Sequence, residues 1–281
     1  MHLCLIRILC QPASSPFVYG IVVMIELFPN PYRVVHETER WIAVCKSAGL
    51  PSTGLNLRDP YCLQHILITD RKQHLWAAHQ LDADTSGVIL FTPHKEEVAL
   101  LKKSLESPQT EKRYLALCQG LPDFDEHVVT VPIGPLDSPR GWGVTEQGKS
   151  AKSLVRVLGR GKDASLVQVT ILTGRTHQIR VHMEHLGHPL IGEHWYSNPP
   201  CNRHDRQALH ALECRLWWRQ SLHLLVAEPP EDFVACSQKL GLATPLEEKL
   251  KGLAQERIAG IERWVPDSNL STSPSLAEKG V

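Results

Sequence analysis

Apolar residues recur along this chain in two registers, and their alternation predicts a mixed fold. β-Branched and aromatic runs at residues 33–36 and 41–45, separated by a polar turn at 37–39, predict a hairpin. A loop rich in Gly, Pro, Ser and Thr follows at 48–54, then a short helix over 60–69. The unbroken run Val88-Ile89-Leu90-Phe91 predicts a buried strand at 88–92. Behind Pro93, the spacing of Val98, Leu101 and Leu105 predicts a helix over 95–107. Strands are expected at 113–118, 128–131, 152–158 and 166–172, and a helix over 176–186 that Gly187 and Pro189 stop. Two more strands (208–217, 222–227) and two helices (231–240, 245–258) complete the pattern. Sequential hairpins with interspersed helices predict an α+β fold with a mixed, largely antiparallel sheet, rather than a doubly wound one.

At 281 residues without an internal repeat or long linker, the chain is expected to form one domain over 24–260. The Ser- and Pro-containing tail, 261–281, is expected to be disordered. Residues 1–23 lack the continuous apolar core of a signal peptide, and the run at 17–28 is too short to span a bilayer. We read this segment as a non-native start or a disordered arm, with translation beginning at Met24.

Thirty basic residues balance thirty acidic ones, so no global field announces a polyanionic partner, although a local basic groove stays open. Eight cysteines are scattered without a Cys-x-x-Cys pair. That spacing disfavours a zinc ribbon or thioredoxin-like site and favours free thiols in a reducing, cytoplasmic setting.

The chemistry concentrates in two segments. His79-Gln80-Leu81-Asp82-Ala83-Asp84-Thr85-Ser86-Gly87 places a carboxylate in a Gly-terminated polar loop just before the apolar run. Gly174-Arg175-Thr176-His177-Gln178-Ile179-Arg180-Val181-His182-Met183 opens a helix with two arginines and two histidines. Alone, Asp82 reads more readily as a turn residue capping its own loop than as a reacting group. Together the segments resemble the signature of the RluA-type pseudouridine synthases, which convert uridine in RNA to its carbon-linked isomer. The resemblance runs from about residue 31 to about 233. It implies a bent sheet with a central RNA-binding cleft.

The resemblance also implies roles. Asp82 is the nucleophile, Arg180 its ion-pair partner, and Tyr114 of Lys112-Arg113-Tyr114 the aromatic that stacks on the flipped uracil. His79, Gln80, Lys112, Arg175, His177 and Gln178 become substrate- or RNA-binding residues, the last two also orienting Asp82 and the helix start. Lys112, Arg113 and Arg140 are candidate phosphate contacts. No cofactor and no metal are implied, and the expected partner of a monomeric enzyme is structured rRNA or tRNA. His182, His185 and His188 recur every third residue, but Gly187 interrupts the helix and no nearby cysteine completes a zinc set.

Three departures from the family pattern stand out. Gln80 occupies the place of an arginine, Cys45-Lys46-Ser47-Ala48-Gly49 replaces Asn-Lys-Pro-Ala-Gly, and Glu193 in Gly192-Glu193-His194-Trp195-Tyr196 replaces an aspartate. The 192–196 segment, Leu209-His210-Ala211 and Pro229-Pro230-Glu231-Asp232-Phe233 are taken as structural markers without chemistry. The departures keep a second reading open, a catalytically weak or inactive RNA-binding paralogue. An unrelated hydrolase has no support, since no Gly-x-Ser-x-Gly, Walker or His-Glu-x-x-His segment is present.

Overall fold

A computed structural model describes residues 30–55, 59–138 and 141–258. The expectations for 1–23 and 261–281, and for Arg140, lie outside the described residues.

Twelve strands are described: β1 (Tyr32–Glu37), β2 (Ile42–Lys46), β3 (Trp76–Ala77), β4 (Ser86–Thr92), β5 (Glu111–Gln119), β6 (Glu126–Val129), β7 (Ile133–Pro135), β8 (Trp142–Val144), β9 (Ser153–Arg160), β10 (Ala164–Ile171), β11 (Leu209–Trp218) and β12 (Ser221–Val226). The helices are α1 (Leu63–Arg71), α2 (Val98–Leu105), α3 (Gln178–His185), α4 (Glu231–Lys239) and α5 (Ala243–Ile258). Ten strands form one sheet in the order β1-β2-β4-β11-β5-β10-β9-β6, with β3 on β4 and β12 on β11; β7 and β8 pair separately. Every pairing in that sheet is antiparallel except the short parallel contact of β4 with β11. The α+β, largely antiparallel expectation therefore holds. Bulges at Leu212 on β11 and Leu158 on β9 break the register and bend the strands.

The continuous apolar run of β4 has a two-sided explanation. Ile89 and Phe91 face one core with Ile42, Val44, Leu63 and Leu67. Val88 and Leu90 face another with Trp41, Ala43, Leu101 and Leu105. A strand covered on both faces shows no polar alternation. On β5 the same period of two sends Tyr114 and Ala116 to the first core, and Leu115 and Leu117 to a third with Phe233 and Leu246. The face carrying Tyr114 also carries Leu81, Ile171, Ile179 and Leu209, which together floor the cleft.

Gly87 decides how closely β4 approaches β11. Its φ is +114°, and a Cβ there would sit 2.2 Å from the Ala211 carbonyl oxygen. Only glycine fits a backbone this close in that conformation.

The structure differs from the sequence expectation in detail. Strands β3, β7 and β8 are two or three residues long and show no periodicity to read. The helix expected from 176 begins at Gln178, because His177 adopts the left-handed conformation (φ 55°). The helix expected from 95 begins with a 3-10 turn, Lys95–Glu97.

Candidate active site

Between β3 and β4 the chain passes through Leu81-Asp82-Ala83-Asp84, and side chains from three other segments hold this loop's backbone. The Ser52 hydroxyl donates to the Leu81 carbonyl (2.7 Å) and accepts the Leu81 N–H (2.9 Å). The Lys46 ammonium donates to the carbonyls of Ala83 (2.7 Å), Leu50 (2.6 Å) and Ser47 (2.9 Å), matching its three donors. Arg206, buried and paired with Asp232, donates to the Asp84 carbonyl (2.9 Å). The Thr85 N–H closes the turn on the Asp82 carbonyl (3.0 Å). Burial pulls the Lys46 pKa down to about 7, opposed chiefly by Asp84 and then Asp82. The result is a fixed platform from which the Asp82 side chain, 28% exposed, enters the cleft.

Arg180 approaches from α3. Its Nε and Nη2 donate to the two carboxylate oxygens of Glu193, both at 2.8 Å, and its Nη1 reaches Asp82 Oδ2 at 3.4 Å. The guanidinium also lies 5.0 Å from the Tyr196 ring centroid and 5.6 Å from that of Trp195. Burial acts to lower the Arg180 pKa, but Glu193 outweighs it and the net shift is upward; for Glu193 burial acts upward, and Arg180 holds the carboxyl below its usual range. Arg180 does meet Asp82, but its tighter partner is Glu193. The 192–196 segment is thus part of the site, which corrects its reading as a structural marker. Gly192 makes the turn possible: with φ +75°, a Cβ there would lie 1.8 Å from the Arg206 carbonyl oxygen.

Gln178 fixes the start of α3. Its Oε1 accepts from the Thr173 hydroxyl and the Arg175 N–H, and its Nε2 donates to the Lys152 carbonyl and the Ser153 hydroxyl. All four bonds are internal, so Gln178 orients the helix and has nothing left for RNA. His177 Nδ1 lies 2.7 Å from the Tyr196 hydroxyl. Arg175 lines the cleft with its Nε on the Ser150 carbonyl (2.9 Å).

Tyr114 is 7% exposed on the cleft floor. Burial, with smaller contributions from Cys214 and Asp82, drives its pKa far up, so the phenol stays neutral. Lys112 lines the same cleft, its pKa lowered by burial. Arg113, one residue on, points to the opposite face and pairs with Glu111 and Glu213, which removes it from the phosphate contacts. His79 Nε2 accepts the Leu90 N–H (3.2 Å), and burial lowers its pKa to about 3; this imidazole is a neutral tie between loop and strand. Gln80 is exposed at the mouth, its Nε2 on the Thr53 hydroxyl (2.7 Å). Of the spaced histidines, His182 bonds Ser153 and Val131 and His188 bonds Gln119. Among the described residues no group of three or more His, Cys, Asp or Glu is arranged to hold a metal.

Lys46, Ser52, Arg206 and Glu193 brace the Asp82 loop and Arg180, and the sequence reading gave them no such part. Lys46 carried one usable signal, a charge closing the apolar strand Ile42–Lys46. Glu193 carried another, its place in the Gly192–Tyr196 segment; Ser52 and Arg206 are joined to Asp82 only through the fold.

The cleft encloses about 770 Å³, within the range of small-molecule sites and ample for one nucleoside. A rigid carboxylate, a clamped guanidinium and a neutral phenol converge there. That set can assist heterolysis at a sugar carbon and hold a flat base while the bond is open.

The family model for RNA pseudouridylate synthase matches residues 40–185, a span that includes Asp82, Tyr114 and Arg180. The chain is 32% identical over 203 residues to the dual-specificity RNA pseudouridine synthase RluA of Vibrio cholerae, covering 71% of this chain and 83% of that protein. It is also 32% identical over 231 residues to the ribosomal large subunit pseudouridine synthase D of Nitrosomonas europaea, covering 75% of this chain and 65% of that one. It spans 39% of an uncharacterised Caenorhabditis elegans protein to which it is 37% identical over 173 residues. In structure it is similar to human RNA pseudouridylate synthase domain containing 1, with a TM-score of 0.62 and 25% identity over 73% of this chain and 87% of that one. Among the described residues no helix is long and apolar enough to cross a membrane. With its two motifs meeting in one cleft and the family match covering both, the chain belongs to the RNA pseudouridylate synthase family as an RluA-type member, an isomerase.

Proposed function

We propose that this enzyme isomerises specific uridines in structured rRNA or tRNA to pseudouridine, with Asp82 as the nucleophile. The carrying observation is the Asp82 carboxylate, held on its cross-braced loop 3.4 Å from the Arg180 guanidinium. The uridine enters the cleft flipped out of its stack, at a cost of a few kcal/mol. Asp82 assists rupture of the C1′–N1 bond, by attack or by stabilising positive charge at the sugar. The freed uracil turns over the neutral Tyr114 ring, C1′ bonds to C5, the C5 hydrogen leaves to water and N1 takes up a proton. Nothing is oxidised or reduced, so no cofactor enters. Lys112 and Arg175 supply cationic contacts to the RNA, and similarity to the ribosomal large subunit synthase of Nitrosomonas supports ribosomal RNA as one target. The six described cysteines are free thiols, which suits a reducing, cytoplasmic setting.

The test is tritium release from RNA transcribed with uridine labelled at C5. Release by the wild type and none by Asp82→Asn supports the reaction and its nucleophile. Release by both assigns the chemistry to another residue. No release by either, on tRNA and rRNA pools alike, favours the binding-only paralogue.

A further inference from the structure

Beside the cleft lies an aromatic surface that the reaction above does not use. Trp195 is 53% exposed, while Glu193 and Tyr196 on the same turn are 1% exposed. The exposed indole is nonetheless held in place. Its backbone N–H donates to Glu193 Oε1 at 3.0 Å, and its ring meets His177 edge-on at 5.8 Å. The Arg180 guanidinium lies 5.6 Å from its centroid. His177 and Arg180 both line the cleft, so Trp195 continues the wall of the site outward to the surface.

Leaving so large an apolar ring in water is unfavourable unless something covers it. An indole fixed by a buried turn loses little freedom on stacking. The surface is continuous with the seat of the target uridine. The covering group closest to hand is therefore the nucleotide next to that uridine, which is itself unstacked when its neighbour flips out.

We propose that Trp195 is the stacking platform for the base adjacent to the target uridine in the RNA strand. This rests on the cleft being the uridine site. Because every base has a π-face, the contact tightens binding with little sequence preference.

The experiment uses fluorescein-labelled dodecauridylate as binding probe and C5-tritiated transcripts as substrate, with wild type, Trp195→Ala and Trp195→Phe. Expected is about a tenfold loss of affinity for the probe in Trp195→Ala, largely restored in Trp195→Phe. KM for the transcripts should rise by a similar factor while kcat falls much less. On a probe with abasic sites, Trp195→Ala should bind no more weakly than the wild type. Unchanged affinity in Trp195→Ala overturns the proposal. So does a loss confined to kcat, which would make the ring only a support for Arg180. Wild-type protein that releases no tritium yet binds the probe through Trp195 would refute the proposed reaction and leave the platform standing.

Discussion

Arg180 and Glu193 form a bidentate pair, 2.8 Å at both contacts, with side chains 8% and 1% exposed. Asp82 receives the nitrogen that remains, at 3.4 Å. The clamp therefore sets where the guanidinium sits before substrate arrives, leaving one donor aimed at the carboxylate. Glu193→Gln removes the charge and turns an amide N–H₂ against a donor. Breaking a buried pair of this kind costs about 3–5 kcal/mol. We expect a lower melting temperature and a kcat reduced ~10- to 100-fold from misplacement of Arg180. Glu193→Asp should recover part of both. Thermal denaturation and tritium release read the two effects separately.

Lys46 ties β2 to the Asp82 loop through the Ala83 carbonyl. Lys46→Met keeps the volume but strands three carbonyl acceptors, each worth about 1–3 kcal/mol when buried and unpaired. The expected result is a loss of stability of at least about 2 kcal/mol in denaturant titrations, after some relief from removing a buried charge. Amide exchange at Thr85, whose N–H bonds the Asp82 carbonyl, should quicken. Unchanged exchange there would show that Ser52 and Arg206 hold the loop unaided.

Gln80 stands at the cleft mouth on the Thr53 hydroxyl, a neutral contact between two loops. An arginine there would add charge and a guanidinium plane for the displaced strand. Gln80→Arg is expected to raise kcat/KM on a structured transcript about fivefold, the equivalent of roughly 1 kcal/mol of added contact. An equal or lower rate would mean that the native substrate presents its uridine already unstacked.

Acid should weaken the fold through its buried histidines. Burial lowers the pKa of His79 to about 3 and those of His182 and His210 to about 4. Below the ordinary histidine value near 6.5 the unfolded chain binds these protons and the folded chain does not. Stability therefore rises with pH across about 4 to 6.5 and is lost as pH falls, at about 1.4 kcal/mol per unit for each histidine. Denaturant midpoints between pH 4 and 8 test this, and His210→Gln should flatten the slope. His210 bonds both Ser86 and the Ala227 carbonyl, so the substitution will also lower the plateau.

Much of the architecture was legible along the chain, because apolar runs, helical spacing and the Gly and Pro that end them are written on neighbouring residues. The hairpin β1–β2, the long strands β4, β5, β9, β10 and β11, two of them buried along their whole length, and all five helices were expected in this way. The placing of Asp82, Tyr114 and Arg180 in one cleft was legible too, since each lies in a local motif. What the chain could not disclose is where its buried charged groups find their partners. Glu193 clamps Arg180 from thirteen residues away, Lys46 reaches Ala83 across thirty-seven, and Arg206 reaches Asp84 across one hundred and twenty-two. The same limit made Arg113 look like a phosphate contact, although a neighbouring strand supplies it with Glu213. A buried charge must find its partner wherever the fold brings one, and no periodicity records that distance. Sequence alone therefore determined the longer strands, the helices and the two motifs that meet in the cleft. Tertiary packing decided which of them are held rigid, which are paired, and which face the cleft.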